Sequence, residues 1–262
     1  DILYLQHPHL GTDKLKEIIP SIRNKIIKMG GEFRFSTKLT DIKIENEKVV
    51  AVTLNDKEQL PCNILVLAIG HSARDTFHLL DDKNLLMESK PFAVGVRVMH
   101  YQKMIDKEQY QNKIKKAPYK LTYQTKNHRG VYSFCMCPGG YVINSASENN
   151  SLVVNGMSNY LRDSNTANSA IVVTVSKKDY GEGLFAGVKY QQELEKKAYL
   201  KGNGKIPVEY YQDFLNKKIT KKETDFAILG AFTITDLNDI LPVTNSHSIK
   251  EAIIEFNKKI KN

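Results

Sequence analysis

Long apolar runs, cysteines and arginines are all scarce in this sequence. The longest apolar run, Ile64–Ile69, is far short of the roughly 20 residues that a membrane helix needs. Three cysteines cannot frame a disulfide scaffold in a chain of 262 residues. The formal net charge is +9, yet only 6 of the 38 basic residues are Arg and the other 32 are Lys. Phosphate and base readout favour the Arg fork. The lysines are scattered, with short clusters at Lys113–Lys116, Lys217–Lys222 and Lys258–Lys261. No zinc-finger, RRM-like or basic-zipper pattern accompanies them. A solvated lysine-rich surface is the expected reading, and nucleic acid is not an expected partner. With 41% apolar residues, 26% charged residues, 15 Gly and 8 Pro, neither wholesale disorder nor a collagen-like repeat fits. The length allows one large domain or two small ones. Composition therefore predicts a soluble, cytoplasmic, globular protein.

What is present divides into two textures. Thr12 is a helix N-cap candidate, and Leu15, Ile18, Ile19, Ile22, Ile26 and Ile27 recur on one helical face up to Gly30–Gly31. Pro20 removes one backbone bond from that helix. Phe33, Phe35 and Leu39 suggest a first strand. Ile42/Ile44 and Val50/Val52/Leu54 alternate with polar residues, so an antiparallel β-meander is expected. The continuous run ILVLAI (64–69) predicts a strand buried on both faces, ending at Gly70. A helix start follows at His71–Leu80. From Pro91 onward, FAVGVRVMHY, YKLTYQT, GVYSFCMC, GYVINSAS, SLVVNGM and ANSAIVVTVS read as successive strands. Helical patterns then follow Gly187, in Glu209–Leu215, and from Leu237 to the end. A boundary near 80–92 divides the chain into 1–85 and 86–262, and the fold class is α+β. The extended start and the uncapped last helix read as cuts through a longer protein.

Several motifs invite chemistry. GEGLFAG, with Gly181, Gly183 and Gly187, fails as a dinucleotide fingerprint: Ser176–Tyr180 separates it from the strand, and its third Gly is one place late. GHSAR resembles a nucleophile elbow at Ser72, but Arg74 stands where that tight turn needs a small residue. Gly70 there suits a backbone passing close to a ligand. Cys135 and Cys137 flank Met136 in a strand, so alternation puts both sulfurs on one face about 7 Å apart. No second Cys pair or neighbouring His completes a metal site, and buried structural thiols are the simpler reading. His7 and His9 have metal-ligand spacing but no third ligand. Arg97 sits in an apolar strand. Its solvated-face reading points Val96 and Val98 inward, while its functional reading binds an acidic substrate. Asn155–Ala170 reads as a turn-dense polar loop between two strands, unusually long and of the kind that often carries function.

Taken in order, HPHLGTDKL (7–15), ILVLAIGHSARDT (64–76), KPFAVGVRV (90–98), SFCMCPGGYVINSASE (133–148), VVNGMSNYLRDSNTANSA (153–170) and YQQELEKKAY (190–199) resemble a family. That family comprises largely uncharacterised FAD-dependent dehydrogenases of the glutathione-reductase-like flavoprotein class. The resemblance covers nearly the whole chain. It implies a Rossmann-type FAD domain, of which 1–85 is a remnant with its β-meander, and a substrate-facing domain in 86–262. The family's N-terminal GxGxxG is absent, as is the C-terminal Gly-rich segment that closes over the flavin. Since pyrophosphate recognition carries much of flavin affinity, this chain alone is expected to bind FAD weakly or not at all. The resemblance implies cofactor contacts at Leu39, Ala68, Gly70 and His71. It also implies a substrate face including Cys137, Gly139, Asn155 and Arg162, joined by Arg97; the catalytic residues stay unknown. The implied function is that of an FAD-dependent oxidoreductase acting on an unknown small molecule, with NAD(P)H as a further partner. A non-enzymatic flavoprotein scaffold and an anion-binding module are the alternatives.

Overall fold

In the computed structural model, residues 9–111, 116–221 and 227–260 are described. The fold is α+β, and two compact units share the chain. One is Ile19–Ser89; the other joins the described residues through Ile18 with those from Lys90 onward.

Helix α1 spans Thr12–Lys28, so the division falls inside it. Its apolar stripe forms as the periodicity predicts, but none of its residues is buried, and Ile19 is 59% exposed. Gly30, at φ +90°, ends the helix, and the Gly31 amide donates to the Ile26 carbonyl. The meander follows as β1 (Leu39–Glu45), β2 (Lys48–Leu54) and β3 (Glu58–Pro61), all antiparallel. Each hairpin turns on two residues of positive φ, Asn46–Glu47 and Asn55–Asp56, which matches the right-handed twist of the strands. Ile42, Ala51 and Val52 are the buried apolar residues of this unit. Phe33 and Phe35 are not in a strand. They stack on one another, and the Arg23 guanidinium lies over Phe35.

The largest correction concerns 64–69. This segment is not a buried strand: it forms no ladder, and Ile64 and Val66 are 84% and 82% exposed. An apolar strand is buried only where neighbours bond both its edges and cover both faces. No described residue supplies those neighbours. Helix α2 (Arg74–Asp82) closes the unit, with ion pairs Lys38–Asp75 at 2.5 Å and Lys83–Asp41 at 2.6 Å.

The other unit is built on a four-stranded antiparallel sheet ordered β4-β9-β6-β5. Its strands are β4 (Phe92–Tyr101), β5 (Thr122–Gln124), β6 (Gly130–Cys137) and β9 (Thr166–Val175). Register pairs Val94 with Val173 and Val96 with Ile171. Val94, Val96, Val98, Val131, Ile171 and Val173 therefore share one face, where they pack with Ile249, Ala252 and Phe256 of α7 (Val243–Lys259). Period-2 alternation sends Arg97, Ala170 and Asn168 to the opposite face. A second sheet, β11-β7-β8, contains β7 (Gly140–Asn144), β8 (Val154–Ser158) and β11 (Ile228–Leu229).

The remaining elements are α3 (Gln102–Tyr110), α4 (Lys177–Tyr180), α5 (Ala186–Lys201), β10 (Ile206–Val208), α6 (Tyr211–Asn216) and β12 (Phe232–Ile234), with a 3-10 turn at Leu237–Asp239. Ser176 and Asp179 form a capping box on α4, so the residues before Gly181 serve as a helix start. The polar stretch 155–170 is not one long loop. Its first part completes β8, its last part opens β9, and only 159–165 turns between them.

Candidate functional site

The face of β4 and β9 turned away from α7 carries a guanidinium with no acidic partner among the described residues. Arg97 Nη1 donates to Asn168 Oδ1 at 2.7 Å and to the Cys135 carbonyl at 3.2 Å, and Nη2 donates to Asn155 Oδ1 at 3.2 Å. All three acceptors are neutral. Arg97 Nε is buried and makes no hydrogen bond. Burial lowers the pKa of this guanidinium, partly offset by the nearby cysteines. Val96 and Val98 point to the core as the solvated-face reading expects, but the Arg itself is held in a polar cluster rather than waving in solvent.

Asn168 is what holds it. This Asn is fully buried, accepts from Arg97, and donates through Nδ2 to the Tyr141 carbonyl at 3.2 Å. The sequence offered only faint notice of it: a polar residue among small ones in the strand segment TANSA. Strand β8 passes over the cluster at Gly156. A Cβ there would lie 2.1 Å from Asn168 Oδ1, 2.4 Å from Arg97 Nη1 and 2.8 Å from Cys137 Sγ. Only a glycine permits that approach.

Cys137 reaches this face because of a β-bulge. Val131 and Ser133 pair with Val173 and Ile171 on the core side, and uninterrupted alternation would send Cys135 and Cys137 there too. Instead the register shifts between Phe134 and Cys137, with Cys135 in the left-handed region at φ +51°. Cys137 then pairs with Asn168, on the side of Arg97. The register shift interrupts the alternation on which the expectation for the two thiols rests. Bulges re-aim side chains in this way by adding one residue to one strand. The Cys137 thiol donates to the Cys135 carbonyl at 3.3 Å. Burial pushes its pKa up, opposed by the pull of Arg97. Cys135 is exposed, and all three cysteines are free thiols.

Of the other sequence-predicted residues, Asn155 joins Arg97 directly, whereas Gly139 and Arg162 meet each other. Gly139 has φ +52°, and a Cβ on it would fall 1.9 Å from the Arg162 carbonyl oxygen. Its amide donates to the buried Gln102 Oε1 at 2.8 Å, and its carbonyl accepts from Ser164. Arg162 is itself at φ +51°, with Nε buried and unbonded. Ser158 Oγ donates to the Pro138 carbonyl at 2.8 Å, which ties β8 to the segment leading from Cys137 to Gly139. Beyond the cluster, His100 Nε2 lies 3.0 Å from the Tyr119 hydroxyl. Burial lowers the His100 pKa and lifts that of Tyr119 to about 12, so both stay neutral near pH 7.

In the other unit, Leu39 opens β1 and pairs with Leu54. Ala68, Gly70 and His71 are exposed. Gly70 is at φ +71°, and a Cβ there would meet nothing within 4 Å. Ser72 Oγ is 3.3 Å from His71 Nε2, but the pair is solvent-exposed. His9 Nε2 contacts the Asn159 carbonyl, while His7 lies outside the described residues. Among the described residues, no three His, Cys, Asp or Glu side chains gather into a metal-holding group. No described helix is long and apolar enough to cross a membrane.

The chain is similar to an uncharacterised protein of Clostridium beijerinckii (strain ATCC 51743 / NCIMB 8052), 43% identical over 272 residues. That alignment takes in all of this chain and 51% of the relative, so the chain spans about half the relative's length. Residues 91–262, which hold the Arg97 cluster, match the family described as "FAD-dependent protein, C-terminal domain-like". On that match and the identity to its relative, the chain belongs to this family of FAD-dependent proteins.

Proposed function

We propose that the chain forms the substrate-facing part of an FAD-dependent oxidoreductase of the glutathione-reductase-like class, a dehydrogenase acting on a small molecule. The observation that carries the reading is the Arg97 cluster, a desolvated cation with neutral partners roofed by Gly156. Unpaired charge is costly to bury, and such costs concentrate where a ligand is recognised.

The cofactor-holding role falls to Leu39, Ala68, Gly70 and His71. Their surroundings suit it: Gly70 leaves open space where any other residue would place a Cβ, and among the described residues nothing bonds the backbone of 64–70. Amides left free in this way can bond a neighbouring strand or a cofactor. When bound, the flavin supplies the two-electron hydride chemistry. The protein's part is to bind and orient substrate through Arg97 and Asn155 and to exclude water through β8. NADH or NADPH is the proposed electron partner.

The other half of the protein, in proportion to the longer relative, is proposed to cover the exposed Ile64 and Val66 and to bring the pyrophosphate-binding segment. Purification of the intact protein beside the 262-residue chain tests this. The intact protein should carry flavin absorbance that NADH or NADPH bleaches without oxygen, and the shorter chain should be nearly colourless. An intact protein that neither retains nor takes up FAD would overturn the reading.

A further inference from the structure

Arg97 has five N–H donors, and three of them meet oxygen acceptors among the described residues. Both Nη1 hydrogens are used, on Asn168 and the Cys135 carbonyl, and one Nη2 hydrogen goes to Asn155. Nε is buried without an acceptor, and among the described residues Asn155 is the one oxygen acceptor of Nη2, with the Cys137 thiol also in hydrogen-bonding reach of the guanidinium. Nη2, at the exposed end of the guanidinium, is therefore the nitrogen that can meet a carboxylate oxygen, and a charge-assisted bond of that kind is a strong one. Beside it, Asn155 is exposed. Its Oδ1 is occupied by Arg97 and the Gly156 amide, so its Nδ2 hydrogens remain available. The other side of the guanidinium is fixed by fully buried Asn168, which cannot turn away because its own amide is bonded to Tyr141. Arg97 is thus oriented by neutral groups, and among the described residues no carboxylate bonds it.

We propose that Arg97 and Asn155 form the recognition site for the carboxylate of a small acidic ligand, held beside the Cys137 thiol. The inference rests on the substrate-face reading above and names the ligand class for that face. Asn168 and Gly156 are positioning residues: the first locks the guanidinium, and the second lets β8 close over it. The Cys137 thiol and the guanidinium flank the same point of β8, since a Cβ on Gly156 would lie 2.4 Å from Arg97 Nη1 and 2.8 Å from Cys137 Sγ. The site requires nothing from the flavin, which keeps its test separate from the colour test.

The test uses two alkylating reagents of nearly equal size on the intact protein. Iodoacetate carries a carboxylate; iodoacetamide is neutral. In either reaction the thiol releases its proton to water, the sulfur displaces iodide, and an S–C bond forms as the C–I bond breaks. Peptide mass spectrometry reads the rate at each cysteine, with half-buried Cys62 as reference within the same chain. The iodoacetate-to-iodoacetamide rate ratio at the faster of Cys135 and Cys137 should exceed that at Cys62 by about tenfold, the low end of electrostatic focusing, and fall with added salt. Arg97→Gln should bring the ratio down to that of Cys62. Asn155→Asp, a change at an exposed position, should do the same by placing a carboxylate against Nη2, and it decides the matter where Arg97→Gln does not fold. A ratio no higher than that of Cys62, or one that survives both substitutions in folded protein, overturns the proposal. A colourless intact protein with the elevated ratio would sink the flavin reading and leave the carboxylate site standing.

Discussion

The two units carry similar apolar patterning and use it in opposite ways. In the larger unit, alternate residues of β4, β6 and β9 meet α7, and Ile249 and Val173 are fully buried. In the smaller unit, the part of α1 from Ile19 onward continues a clear apolar stripe and 64–69 is a denser apolar run, yet α1 buries nothing and Ile64 stands 84% exposed. Patterning sets which face wants cover; whether cover exists depends on what else is folded against it. Burial of a Leu or Ile side chain is worth about 1.5–3 kcal/mol, and most of the buried apolar residues lie in the larger unit.

That contrast can be broken or sharpened by experiment. The largest effect is expected at the core: Ile249→Ala should destabilise the larger unit by about 2–5 kcal/mol in urea unfolding, since it removes a fully buried side chain and leaves a cavity. Next, Gly156→Ala should cost about 1–3 kcal/mol by overpacking against Asn168 and Arg97. It should also erase the alkylation preference at Cys137, because β8 can no longer lie over the cluster. A smaller effect concerns Glu209, whose pKa burial raises to about 7 and whose Oε1 has no partner. Its folded pKa lies above its unfolded one, so the folded state holds the proton longer. Its contribution is fully present below about pH 4.5, and it is lost as pH rises through about 7. Glu209→Gln should flatten that fall by about 1 kcal/mol, allowing for solvent screening, as read from melting curves at pH 5 and pH 8. The smallest effect is Ile64→Ala in the 262-residue chain, within about 0.5 kcal/mol because the side chain is exposed. In the intact protein the same substitution should cost about 2 kcal/mol or more if the other half covers it. Equal, negligible effects in both would remove the proposed cover.

Much of the fold was legible because it follows local periods. β4 could be read from alternation, α1 and α5 from helical spacing, and the meander hairpins from polar turn residues between alternating strands. The candidate site was legible only in pieces. Arg97, Cys137 and Asn155 could be singled out, but alternation could not tell that Cys137 faces Arg97, because a bulge leaves no period to count. Asn168 and Gly156 escaped notice: one is an ordinary strand residue and the other an ordinary loop glycine until β8 crosses β9. The run 64–69 misled for the converse reason, since its composition describes a burial that requires other strands.

By itself the amino-acid order determined the helical and strand periods, the inward valines beside Arg97, and the lysine-rich charge. These depend on neighbours a few residues away, where backbone geometry is repetitive. Tertiary structure decided that Arg97, Asn155, Asn168 and Cys137 share one small volume. They lie up to 71 positions apart in the chain, and strand register, a bulge and one glycine crossing bring them together.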